Sequence, residues 1–208
     1  MFVLFSFFAF NHNILAADSA TNRDNSHFGI DVGYAPISLP LPGTTAFSVY
    51  YIANSSWQFG LEYAWTTIGV KAFSFELGAV EETNRTVKAR YFMTNSFNWI
   101  MGYGRRDLQV KLAKDLFELY TNEYSNIVTR TRTDYAQLGF GNQWQWGGGY
   151  AFSVDWLTIN IPLKARVTTS ADRYATDESE AVYIRDVENT LAWYPQAWLF
   201  EIKVGFAF

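Results

Sequence analysis

Residues 57–65, Trp-Gln-Phe-Gly-Leu-Glu-Tyr-Ala-Trp, place every large apolar side chain at an odd position and every small or polar one at an even position. A period of two is that of a β-strand, whose successive side chains point to opposite faces. The same alternation returns at residues 28–34, where Phe28, Ile30, Val32 and Tyr34 oppose Gly29, Asp31 and Gly33. Near the end of the sequence, Trp198, Phe200, Ile202, Val204, Phe206 and Phe208 share one parity, and Leu199, Glu201, Lys203 and Gly205 the other. No comparably regular stretch has a helical period, so the chain reads as all-β.

The alternation predicts eight strands, near 28–35, 44–53, 57–67, 85–94, 97–104, 133–144, 149–160 and 196–208. Short turns fall at Asn54–Ser56, Thr94–Ser96 and Trp144–Gly149, and longer polar connections at 36–43, 68–84, 105–132 and 161–195. Alternating short and long connections fit an antiparallel up-and-down barrel, with the short turns and both termini on one rim. Two of the long connections have helical features: Leu108, Leu112 and Leu116 recur every four residues within 105–120, and 177–194 is a second candidate. A ten-stranded barrel would need further strands from 68–80 and 118–130.

The first 17 residues combine a ten-residue apolar run with Ile14-Leu15-Ala16-Ala17, the pattern of a cleaved secretory signal peptide, although no Lys or Arg precedes the run. Residues 18–27 then form a periplasmic N-terminal segment and 28–208 the barrel. The net charge of −4 argues against a nucleic-acid partner, and the absence of cysteine excludes disulfides and thiolate metal sites.

Soluble and membrane barrels both alternate, with opposite faces turned inward. Size separates them. The apolar face carries Trp57, Tyr63, Trp65, Trp99, Tyr103, Trp156 and Trp198, in a chain that is 19% aromatic and only 17% charged. An eight-stranded interior is just wide enough for side chains to fill it, and that many large rings would not fit. Trp57 and Trp65 are also about 26 Å apart along a strand, or about 20 Å at a tilt of about 40°, close to the separation of two aromatic girdles. The large rings are therefore expected to face lipid. The mean hydropathy of −0.08 is too low for a helical membrane protein.

The stretch "FEIKVGFAF" at 200–208 is similar to the closing strand of bacterial outer-membrane barrels, with alternating aromatics and a final Phe. Across nearly all of 28–208 the chain resembles the small eight-stranded outer-membrane proteins of the OmpA, OmpX and OmpW kind. The resemblance implies a Gram-negative outer-membrane location among lipid and lipopolysaccharide. It also implies that the assembly machinery recognises Phe206 and Phe208, and a monomer is favoured.

The strand parities turn Asp31, Glu62, Asp155 and Glu201 inward together with Lys88, Arg90 and Lys203. Buried charges persist when paired, so this near-balanced set predicts an interlocked plug. The resulting expectation is a barrel with a structural or surface-interaction role and long extracellular loops. A pore lined by the same residues, conducting small solutes or hydrophobic compounds, is the alternative. Arg105, Arg106, Lys111 and Lys114 form a basic patch able to meet lipopolysaccharide phosphates. A lipid-modifying enzyme is the third reading. Resemblance to such enzymes would bring a His–Ser pair at the outer rim, whereas His27 lies on the short-turn side with Ser26 pointing to the opposite face. A soluble secreted barrel is the remaining option. No catalytic, cofactor-binding or metal-ligating residue is assigned.

Overall fold

The computed structural model describes residues 19–72, 75–112, 127–169, 186, 189–190 and 192–208. Nine strands appear in chain order: β1 (Phe28–Ala35), β2 (Ile37–Leu39), β3 (Thr44–Asn54), β4 (Trp57–Ala72), β5 (Phe75–Phe92), β6 (Phe97–Leu112), β7 (Ile127–Gln145), β8 (Tyr150–Thr169) and β9 (Gln196–Ala207). Each pairs antiparallel with its neighbour, and β1 also pairs with β9, which closes the sheet. The pairs Tyr34↔Ile202 and Ile37↔Leu199 hold one register, so β2 continues β1 past Pro36. The result is an eight-stranded barrel. Of the segment 68–80, required for a ten-stranded version, the described residues 68–72 and 75–80 instead prolong β4 and β5, which pair with each other, and 127–130 belongs to β7.

The strands are longer on one side than the alternation predicted. β5, β7 and β8 run for 18, 19 and 20 residues, about twice what crosses a membrane. Much of the expected long connections at 68–84, 105–132 and 161–195 is therefore ladder. Residues 105–112 pair along β7 rather than forming a helix, whereas 113–120 lie outside the described residues, as does the expected signal peptide at 1–17. The reason is the solvent on both faces. Beyond the lipid the outer face need not be apolar, so the alternating signal disappears while the hydrogen-bonded ladder continues. In the second candidate helix, residues 186, 189–190 and 192–193 are helical.

Inside and outside follow from which side chains are exposed. Leu61, Val87 and Val204 are 58%, 60% and 61% exposed on the outer wall, whereas Glu62, Lys88 and Lys203, their chain neighbours, are buried. An apolar exterior around a polar interior is the arrangement of outer-membrane barrels. Rings cluster towards the short turns: Trp57 stacks on Phe59 and meets Tyr91 at 4.8 Å, and Trp99 meets Phe97 and Phe140 edge-on. Trp65, with Tyr63 against it, marks the other edge of the band.

Trp198 departs from its expected place. It is 1% exposed and packs inside against Ala35, Ala46 and Ala64. The backbone at Phe200 takes φ 57°, a left-handed conformation that bulky residues rarely adopt, and the inside–outside phase of β9 slips there. The neighbouring strands slip at the same height. Pro36 and Ile37 both face out between β1 and β2, and Trp156 is the extra residue between Phe140↔Leu157 and Gly141↔Asp155. Trp156 and Phe200 then meet edge-on at 5.9 Å on the outer wall.

Candidate functional site

The lumen carries the chemistry, and its walls fill it in layers. Nearest the short turns, a helix over residues 19–24 lies against the rim. The Arg23 guanidinium donates to the carbonyls of Ser55 and Asn95, each at 2.8 Å, and stands 3.8 Å over the Phe92 ring. Burial pushes this guanidinium down to about 10, against the opposing pull of Asp24, so Arg23 stays charged at neutral pH. Asn22 donates to the Gln145 carbonyl, and the Gln145 side chain donates back to Asn22 O and Ser26 Oγ. This covering of the rim by 19–24 has no signal in a strand-based reading, because six residues of which only Ala20 is apolar show neither period strongly. His27 is exposed beside buried Ser26, and its backbone N–H bonds to Phe208 O.

Above the helix, the Tyr50 ring lies across Gly29. A Cβ on Gly29 would fall 2.3 Å from that ring, so only glycine admits it. Next comes the charged layer. Glu62 Oε2 accepts from Lys88 at 2.5 Å and also from Lys203. Lys203 stands 3.2 Å from Glu201 and 3.5 Å from Asp155, and Asp155 receives two parallel bonds of 2.7 Å from Arg90. Arg90 also donates to Asn98. Asp31 is buried in the same layer, beside Ser48, whose hydroxyl donates to Glu62 Oε2 at 3.2 Å. All seven inward charges expected from parity are thus gathered in one layer, each no more than 7% exposed.

Because β1, β4, β5, β8 and β9 supply these groups, the ion pairs cross the lumen as well as running along its wall. What remains is a cavity of about 20 Å³ between Asp31, Tyr50, Gln58 and Glu62. That is room for about one water molecule. Four oxygens at this place, Asp31 Oδ1, Tyr50 OH, Gln58 Oε1 and Glu62 Oε1, have no partner among the described residues, which suits a water.

A third layer was not expected. Gln137 donates to Asn160, Asn160 to Gln196, and Gln196 and Asn84 to Glu82 Oε1, joining β7, β8, β9 and β5. Tyr135 and Thr86 hydroxyls meet at 2.6 Å beside it. Glu82 and Asn84 escaped notice because 68–84 reads as a connection; Gln137, Asn160 and Gln196 lie within predicted strands, but their amides carry no charge to single them out.

The basic patch divides. Arg106 points into the barrel, 2% exposed, and donates to the carbonyls of Ala192 and Tyr194, which corrects its expected place at the lipid surface. Its position follows from strand parity: Arg105 and Asp107 face out, so Arg106 and Leu108 face in. Arg105 and Lys111 do face out, paired with Asp134 at 2.7 Å and Glu81 at 2.6 Å. Lys114 lies outside the described residues. Phe206 and Phe208 are on the outer wall, 41% and 64% exposed, and stack on each other at 6.4 Å.

No protein-family model and no curated protein matches the chain. Solved barrels resemble it in fold. The N-terminal β-barrel domain of Pseudomonas aeruginosa OprF is similar with a TM-score of 0.42 and 11% identity, over 88% of this chain and 98% of that one. Ail, the attachment invasion locus protein of Yersinia pestis, solved with a heparin analogue, gives 0.49 and 12%, over 87% and 99%. A major outer membrane protein from Thermus thermophilus gives 0.49 and 7%, over 88% and 99%. These are likenesses of barrel shape. The apolar outer wall is read from this chain's own exposed side chains.

Proposed function

We propose that the chain is a closed outer-membrane barrel whose work is structural or one of surface interaction and is done at its outer rim. The observation that carries this reading is the charged layer: Glu62, Lys88, Arg90, Asp155, Glu201 and Lys203 interlock across the lumen. A solute path would have to break several buried ion pairs at once and leave their charges uncompensated in the lumen, which is strongly unfavourable. The polar relay above and the 19–24 helix below close the same axis twice more. Assembly through the outward Phe206 and Phe208 belongs to this reading.

Conductance of the refolded, purified chain in a planar lipid bilayer tests it. The expected record is silent, with folding verified by a heat-dependent gel shift. Stable current steps that change when Glu62→Gln or Lys88→Met is introduced would replace the plug with a channel for small solutes.

A further inference from the structure

The outer wall changes character one step above the apolar band. On β6, exposed Tyr103 is followed on the same face by Arg105, Asp107 and Gln109. Cross-strand neighbours there form three tiers. The lowest runs Arg85–Arg105–Asp134–Lys164, the next Thr83–Asp107–Arg132–Arg166, and the highest Glu81–Gln109–Arg130–Thr168. Six cations stand against three acids, in a chain whose net charge is −4.

Each acid is already engaged. Asp134 holds Arg105, Asp107 holds Arg132 at 2.8 Å, and Glu81 holds Lys111. Arg85, Arg130, Lys164 and Arg166 have no salt bridge among the described residues. Two of the cross-strand pairs, Arg85↔Arg105 and Arg132↔Arg166, set like charges directly opposite each other, which destabilises a sheet unless an anion lies between them. Along the two upper tiers the wall forms a groove of about 430 Å³ lined by Arg130, Arg132, Arg166, Gln109 and Thr168, with the already paired carboxylates of Asp107 and Glu81 at its side.

We propose that this groove docks the phosphate groups of an outer-leaflet glycolipid, with Arg130, Arg132 and Arg166 as its ligands. The groove stands at the edge of the apolar band, in register with Trp65 through Thr83, Asp107, Arg132 and Arg166, at the height where lipid headgroups begin, and it opens outward from the wall. Arginine suits the task because its planar fork matches phosphate oxygens with two parallel bonds. Gln109 and Thr168 supply neutral donors on either side. The site belongs to β6–β8 and differs from the patch expected from sequence, since Arg106 is turned inside. It rests on the membrane placement proposed above.

The test uses the full chain refolded in detergent micelles, with diphosphorylated lipid A and its dephosphorylated form as probes and native mass spectrometry as the readout. The expected result is that diphosphorylated lipid A binds at least about tenfold more tightly than the dephosphorylated form. Arg130→Gln/Arg166→Gln should remove that margin, as loss of a charge-assisted contact would. A heat-dependent gel shift shows that the variant has folded, and the single variants Arg130→Gln and Arg166→Gln replace the pair if it has not. Equal binding of the two lipids, or an unchanged margin in folded variants, overturns the site. Binding of a soluble sulfated oligosaccharide without lipid A overturns the lipid as occupant. Flotation with lipid vesicles separates the two readings: a chain that floats but ignores the phosphates loses only the groove, while one that does not float loses the membrane placement as well.

Discussion

Arg90 and Asp155 meet end to end across the lumen through two parallel hydrogen bonds of 2.7 Å, although their strands, β5 and β8, share no ladder. Lys203 does the same between β9 and Glu62 on β4. Such bonds tie opposite walls together, so the barrel is held by its contents as well as by its hydrogen-bonded girth.

Removing one partner should therefore be worse than removing both. Asp155→Asn leaves Arg90 buried without its counter-charge, and a loss of about 3–5 kcal/mol is expected. The double change Arg90→Met/Asp155→Leu should recover most of it. Urea unfolding of the vesicle-inserted barrel measures both, and a double variant as weak as the single one would mean that the pair does not act as a unit.

Trp198 and Trp65 should report opposite environments. In single-tryptophan variants reconstituted into brominated lipid, Trp65 fluorescence is expected to be strongly quenched and Trp198 fluorescence nearly untouched. Trp198 is 1% exposed and Trp65 39%. Comparable quenching at the two positions would contradict the phase slip at Phe200.

Gly29 and Tyr50 form a steric pair. Gly29→Ala places a methyl group where the ring now lies, and overpacking of this kind costs about 1–3 kcal/mol. Adding Tyr50→Leu should relieve it. Unfolding midpoints of the two variants decide the matter: no rescue by the second change would mean that the ring is not the obstacle.

Arg23→Ala should free the 19–24 helix while leaving the barrel intact. It removes two bonds to turn carbonyls and the Phe92 contact, interactions worth about 1–3 kcal/mol apiece when a charge is involved. Faster amide exchange confined to residues 19–27, with an unchanged gel shift, is the expected result. Unchanged exchange in that segment would show that Asn22, Ser26 and Gln145 hold it unaided.

Period-two alternation alone carried the strand parities, the short-turn rim and the inward direction of Asp31, Glu62, Lys88, Arg90, Asp155, Glu201 and Lys203. Alternation is local: within an unbroken strand the residues on either side of a peptide bond point opposite ways whatever the rest of the chain does. Three things were decided only when the strands met. Trp198 turned inward because one left-handed residue, Phe200, reverses parity without leaving a mark in the hydrophobic pattern. Arg106 went inside because ladder pairing outlasts the lipid that makes alternation visible. The partners in the charged layer, Arg90 with Asp155 and Glu62 with both lysines, depend on the register between strands far apart in sequence. Parity tells each charge which way to face; closure of the barrel tells it what it will meet.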